Sequence, residues 1–236
     1  MFKKEKILLI IPAYNEEESI LKTCETIRKH NKKLDYLVIN DGSKDKTQEI
    51  LEKNKIIHIN LVHNLGIGGA VQTGYKYAYE HDYDIAIQFD GDGQHDVNYV
   101  EAICKPIIDG EADVVIGSRF VKELSEFKSS GARRAGIKII SFFIKLFTGK
   151  KIYDTTSGFR AVNKDIIKHF AVNYPTEYPE PVSTTEILKM GYRVDEVAVK
   201  MNEREAGVSS IRAWKNIYYM VNVVLSIFVV SIRRYK

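Results

Sequence analysis

Two short runs without polar alternation, Ile7-Leu-Leu-Ile-Ile11 and Tyr36-Leu-Val-Ile39, constrain most strongly how this 236-residue chain can fold. A strand that is apolar on both faces must be covered on both, as in a largely parallel sheet flanked by helices. Pro12 stops the first run and Asn40-Asp-Gly-Ser43 stops the second. Between them, residues 16–29 carry Ile20, Leu21, Cys24 and Ile27 at helical spacing. Strand, helix, strand reads as a βαβ unit.

The pattern then repeats. Ser43 and Asp45 are placed to cap a helix running to about Lys53, residues 56–61 read as strand, and residues 69–80 read as helix. Residues 85–89 and 113–117 supply two further strands, ending at Asp90-Gly-Asp-Gly93 and at Ser118-Arg119. Beyond Arg119 the alternation weakens into a polar stretch to Arg134, an apolar helix over 137–147, a loop through Ser157-Gly-Phe-Arg160 and a closing apolar segment. The expectation is an α/β domain over residues 1–210, its second half packed on its first, then a basic-flanked apolar helix over 211–236. Ligands of open α/β sheets collect beyond the carboxyl ends of strands, which is where the polar clusters lie.

The net charge of +4 averages two opposite halves. Residues 1–118 hold 14 Lys/Arg against 20 Asp/Glu, a net −6, and the remainder holds 21 against 11, a net +10. An acidic half fits a site for a metal ion, and a basic half fits phosphates, a nucleic acid or a membrane surface. A content of 44% hydrophobic and 28% charged residues excludes disordered, collagenous and disulfide-scaffold classes. Cys24 and Cys104 are neither in a metal-type pair nor beside a base, and no apolar leader core follows Met1, so a reducing, cytosolic setting is expected.

Asp90-Gly-Asp92-Gly-Gln94 follows a strand directly, so two carboxylates can face one point while the glycines let the backbone bend. Such oxygen donors suit Mg²⁺ or Mn²⁺ with positions left for phosphate oxygens; the plain alternative is a surface Asp-Gly turn. Asp41 can accept from a base or ribose, or it can cap a helix, and taken alone the cap is favoured. Asn64-Leu-Gly-Ile-Gly-Gly69 offers backbone N–H groups at a helix start, but Val71 breaks the dinucleotide fingerprint and no P-loop lysine follows. Arg119, Arg133, Arg134, Arg160 and Arg204 sit in short polar motifs, where arginine suits bidentate phosphate binding or an ordinary ion pair. His95 beside the acidic cluster reads as structural support.

The motifs Ile-Ile-Pro-Ala-Tyr-Asn-Glu (10–16), Asn-Asp-Gly-Ser (40–43), Asn-Leu-Gly (64–66), Asp-Gly-Asp-Gly-Gln-His (90–95), Gly-Ser-Arg-Phe (117–120) and Thr-Ser-Gly-Phe-Arg (156–160) together resemble family 2 glycosyltransferases. Within them, the chain is most similar to the dolichol-phosphate mannose synthase and bacterial polyprenyl-phosphate glycosyltransferase branch. The resemblance implies a GT-A fold, a Rossmann-like mixed but mostly parallel sheet flanked by helices, and an inverting hexosyltransferase serving cell-surface glycan assembly. It implies that Pro12, Tyr14, Glu16 and Asp41 line the nucleotide, with Asp90 beside them, and that Asp90, Asp92 and Gln94 hold Mg²⁺ or Mn²⁺ against the diphosphate. Arg119, Arg133 and Arg204 would bind donor and acceptor phosphates near Ser209; Ser210 stands where the family pattern often has Lys. The partners implied are a UDP- or GDP-sugar and a polyprenyl phosphate. A hydroxyl acceptor, the runner-up, would need a base, for which Glu180 is the candidate; its plain alternative is pairing with an arginine.

Residues 217–232 are apolar except for Tyr218, Tyr219, Asn222, Ser226 and Ser231, between Lys215 and Arg233-Arg-Tyr-Lys236. Sixteen residues reach roughly 24 Å at ~1.5 Å each, short of the ~30 Å hydrocarbon core, which suits an amphipathic helix lying in the membrane interface. Residues 137–147 form a second such helix. Burial in the core, a homo-oligomer interface or contact with a small membrane protein are the alternatives. Peripheral attachment to the cytoplasmic face of the cell membrane is expected, and a nucleic-acid partner is not.

Overall fold

In the computed structural model the described residues are 5–31, 34–121, 131–201 and 213–235, without the side chains of 132–133 and 213–217. Strands β1 (Ile7–Ala13), β2 (Asp35–Asn40), β3 (His58–Asn60), β4 (Ile85–Gln88), β5 (Val114–Ser118), β6 (Arg160–Asn163) and β7 (Val194–Ala198) form one sheet in the order β3-β2-β1-β4-β6-β5-β7. The helices are α1 (Ile20–His30), α2 (Thr47–Lys53), α3 (Gly66–Glu80), α4 (Val100–Ile108), α5 (Gly131–Thr148), α6 (Lys164–Val172), α7 (Pro179–Lys189) and α8 (Ala213–Ile232).

The unalternating strands are covered on both faces, as their composition requires. On β1, Leu8 and Ile10 enter one core with α3, α5, α6 and α8, while Ile7, Leu9 and Ile11 enter the other with α1 and α4. Helix α3 lies close enough to β1 that a Cβ on Gly74 would come within 2.2 Å of Ile10 Cγ2, so only glycine admits this packing. The sheet is mostly parallel, as expected, but the expected loop ending at Arg160 is corrected: Arg160 opens β6, which inserts antiparallel between β4 and β5. Because β6 runs the opposite way, the segment before it, Thr156 to Gly158, reaches the same edge of the sheet as the carboxyl end of β4.

Helix α8 is 20 residues long, about 30 Å, and buries Val223, Ile227 and Val230 while packing on α7 and α5. Its other side exposes Tyr218, Val221, Leu225, Phe228, Val229 and Ile232, and α5 exposes Ile139, Phe142 and Leu146. Among the described residues no helix is long and apolar enough to cross a membrane.

Candidate active site

The first two strand-end loops hold each other through reciprocal hydrogen bonds. Asn15, at φ 56°, donates its N–H to Ser43 Oγ (3.0 Å) and accepts Lys44 N–H at Oδ1 (2.8 Å). Glu16 N–H donates to Thr47 Oγ1 (2.9 Å), and Lys46 N–H donates to Glu17 Oε2 (2.9 Å). The loops thus place Pro12, exposed Tyr14 and Glu16 on a rigid shelf, with Glu16 Oε2 further tied to the Ser19 hydroxyl at 2.6 Å.

Asp41, at the end of β2, is buried and accepts Leu65 N–H at 2.7 Å. It therefore does cap a helix, but the helix is α3 rather than α2; at α2 the bond to Thr47 N–H comes from Asp45, at 2.9 Å. Burial raises the Asp41 carboxyl above its ordinary range, against the stabilising N–H groups of Leu65 and Gly66. The capped start of α3 and Asp41 line the same cleft.

Past β4, Asp90 and Asp92 bracket Gly91, whose carbonyl accepts the Thr23 hydroxyl at 3.0 Å. Asp92 is buried and its Oδ1 accepts Gln94 N–H at 3.0 Å, with the next residue, Gly93, at φ 77°. Asp90 and Asp92 both line the cleft; Gln94 does not, and its backbone N–H closes the turn on Asp92. His95 is buried behind the turn, stacked on Phe159 at 4.8 Å. Asp90 N–H donates to its Nδ1 at 2.9 Å, so the ring proton lies on Nε2, 3.4 Å from Asp90 Oδ2. Burial lowers the His95 pKa, which keeps the ring neutral in this supporting position. Among the described residues no three His, Cys, Asp or Glu side chains gather to form a metal cage. Two carboxylates facing an open cleft fit Mg²⁺ or Mn²⁺, which take one or two protein carboxylates and leave places for phosphate oxygens and water.

The structure brings the arginines together less than their motifs suggest. Arg119 is buried and engaged on two guanidinium nitrogens by Asp154, with a third bond of 3.1 Å to Thr156 Oγ1, and it does not line the cleft. Arg160 is 1% exposed and braces the segment before β6 against α7, donating to Ser157 O (3.0 Å), Glu180 O (3.3 Å) and Ser183 Oγ (3.1 Å). Arg134 is exposed on α5; the Arg133 side chain, Arg204, Ser209 and Ser210 lie outside the described residues. Glu180 faces the cleft, and burial raises its carboxyl against the attraction of Arg160.

Several contributors were not foreseen. Asp154 and Glu196 organise the Arg119 loop, Glu196 accepting Tyr153 N–H (2.7 Å) and Asp154 N–H (2.8 Å). Gly158 lies so close to the acidic turn that a Cβ there would meet Gln88 Nε2 at 2.7 Å and Asp90 Oδ1 at 3.3 Å. Tyr219 of α8 completes the wall, its ring 4.8 Å from that of Tyr178. Asp154 stands two residues before a recognised motif, which was the available signal; Tyr219 was hidden in an apolar segment. The resulting cleft has a volume of about 560 Å³.

The sequence pattern of Glycosyl transferase family 2 matches residues 8–170, from β1 to α6. The chain belongs to this family. As a family 2 glycosyltransferase it is 35% identical over 214 residues to the UDP-N-acetylglucosamine–dolichyl-phosphate N-acetylglucosaminyltransferase of Methanococcus voltae, covering 82% of this chain and 84% of the relative. It is 26% identical to the polyprenol monophosphomannose synthase of Mycolicibacterium smegmatis, covering 88% of this chain and 81% of that one. Among solved structures, the glucosyl-3-phosphoglycerate synthase of Mycobacterium tuberculosis, crystallised with Mn²⁺, UDP and phosphoglyceric acid, superposes with a TM-score of 0.72 over 99% of this chain and 81% of that one, at 16% identity. The fold of this glycosyltransferase is thus GT-A.

Proposed function

We propose that this enzyme transfers a sugar, with inversion, from a nucleotide diphosphate sugar to a polyprenyl phosphate at the cytoplasmic face of a membrane. The observation that carries the reading is the cleft itself: a shelf at Pro12, Tyr14, Glu16 and Asp41 adjoins two carboxylates, Asp90 and Asp92, suited to a cation-bound diphosphate. The names of the Methanococcus and Mycolicibacterium relatives support the lipid phosphate acceptor.

The chemistry needs one bond made and one broken. An oxygen of the lipid phosphate attacks the anomeric carbon from the face opposite the diphosphate, which leaves with the electron pair of its C–O bond. The attacking phosphate is already anionic, so no side chain has to take a proton. Mg²⁺ or Mn²⁺ held by Asp90 and Asp92 would supply neutralisation of the leaving charge. Arg133 and Arg204 are assigned to the phosphates, while Arg119, held by Asp154 outside the cleft lining, is assigned to positioning the Thr156 segment through its bond to Thr156 Oγ1. The exposed apolar sides of α5 and α8, with Lys138, Lys145, Arg233 and Arg234 also exposed on these helices and at their end, suit an anionic lipid surface.

A second reading, transfer to a sugar hydroxyl of a lipid-linked saccharide, is favoured by one observation: Glu180 lines the cleft with a raised pKa, as a base would. Purified protein with Mn²⁺ or Mg²⁺, a panel of UDP- and GDP-sugars and undecaprenyl phosphate in vesicles separates the two. Formation of a glycosyl phospholipid is expected; extension of a lipid-linked sugar without it would sink the first reading.

A further inference from the structure

We propose that Glu180 recognises the sugar of the donor, accepting hydrogen bonds from the hydroxyl groups of a hexose or N-acetylhexosamine. The inference rests on the nucleotide-sugar reading above and is independent of the acceptor. A nucleotide sugar is linear in its chemistry: nucleoside, then diphosphate, then sugar. The cleft is laid out in the same order, because the neighbouring strands run β2, β1, β4, β6. Asp41 follows β2, Tyr14 follows β1, Asp90 and Asp92 follow β4, and Gly158 precedes β6, with Glu180 on α7 beyond it. A nucleoside at Asp41 and a diphosphate at Asp90 and Asp92 put the sugar against Glu180.

The carboxylate is built into this place. Tyr174 OH donates to Gln88 Oε1 at 3.5 Å, and the Gln88 amide nitrogen lies against Gly158, where a Cβ would meet it at 2.7 Å. Arg160 is buried behind, its N–H groups directed to the carbonyls of Ser157 and Glu180 and to the hydroxyls of Ser183 and Thr184, so that its charge offsets that of Glu180 from below. A carboxylate has about four lone-pair positions, enough to accept from hydroxyl donors entering from the cleft that Glu180 lines. Hydrogen bonds to an ionised acceptor are the strong kind, and a site built to bond a hydroxyl discriminates sharply against a sugar that lacks one there.

The test needs no acceptor. Calorimetric titration in Mn²⁺ compares UDP or GDP, whichever binds, with the corresponding hexose and N-acetylhexosamine derivatives, for the wild type, Glu180→Gln and Glu180→Asp. Both variants should bind the free nucleotide within about twofold of the wild type and the nucleotide sugar about tenfold or more weakly, the loss of a hydrogen bond to a charged acceptor. Unchanged nucleotide affinity also shows that the variants are folded. Nucleotide-sugar affinity unaltered in both variants, the result a general base would give, overturns the proposal, and so does an equal loss for nucleotide and nucleotide sugar. Failure of the polyprenyl phosphate reading would appear differently, as intact donor discrimination without glycolipid.

Discussion

Arg119 and Asp154, 35 residues apart in sequence, are joined side-on along one edge of the guanidinium: Nε to Oδ2 at 2.7 Å and Nη2 to Oδ1 at 2.7 Å. Asp154 Oδ2 also accepts the Arg119 N–H at 3.0 Å, and both side chains are buried, at 5% and 0% exposed. The pair locks the end of β5 to the segment leading into β6, the same segment that supplies Thr156 and Gly158 to the cleft. Glu196 on β7 closes the network by accepting the Asp154 N–H.

Asp154→Ala should therefore destabilise the fold by about 3–5 kcal/mol, because it strands a buried cation. Urea unfolding measures this. The double variant Arg119→Met with Asp154→Leu should recover most of the loss while staying less active than the wild type, since the stability is regained without the guanidinium bond that holds Thr156.

Asp92→Ala should lower turnover at least about a hundredfold, the order found when a group stabilising transition-state charge is removed. Chelation of divalent ions should do the same reversibly. Sugar transfer measured with and without added Mn²⁺ checks both, and full activity in either case would contradict the metal assignment.

The raised pKa of Asp41 has a signed consequence. A carboxyl whose folded pKa lies above its unfolded value stabilises the fold below the unfolded value, and this contribution is lost as pH rises through the folded one. Asp41→Asn keeps an oxygen for Leu65 N–H and removes that titration. The stability of the wild type relative to Asp41→Asn should thus fall as pH rises from about 4 towards neutrality. Chemical unfolding of both proteins across that range reads the difference, and a relative rise would refute it.

Gly68→Ala should be poorly tolerated, since its Cβ would meet Pro175 O at 2.4 Å and Thr176 O at 2.5 Å. Backbone cannot move aside as a flexible side chain can, so a loss of about 1–3 kcal/mol is expected. In a chain of this size that lowers Tm by about 2–4 °C per kcal/mol, which calorimetry resolves.

Phe142→Glu and Leu225→Glu, on the exposed sides of α5 and α8, should release the protein from anionic vesicles without altering its Tm. Each removes a side chain whose insertion is worth about 1.5–3 kcal/mol, about tenfold or more in vesicle affinity. Co-sedimentation quantifies it.

The βαβ half was legible because its signals are local. Ile7-Leu-Leu-Ile-Ile11 is apolar on both faces wherever it lies, and Asp90-Gly-Asp-Gly93 turns the chain through its own glycines. The amino-acid sequence by itself therefore determined a covered, mostly parallel sheet and the edge at which polar residues collect. It also offered Asp41 as a helix cap, yet the partner N–H lies 24 residues on, at Leu65, and only the folded sheet brings the two together. Strand β6 was not legible: four residues opening on an arginine carry no strand periodicity, and their place between β4 and β5 follows from pairing with distant strands. The same holds for charge. Arg119 and Arg160 have the composition of phosphate ligands, but a buried guanidinium must be matched by nearby acceptors, and which acceptors are near is a property of packing. Tertiary structure alone decided that Asp154 matches Arg119, that Arg160 lies behind Glu180, and that an apolar C-terminal helix lends Tyr219 to the active-site wall.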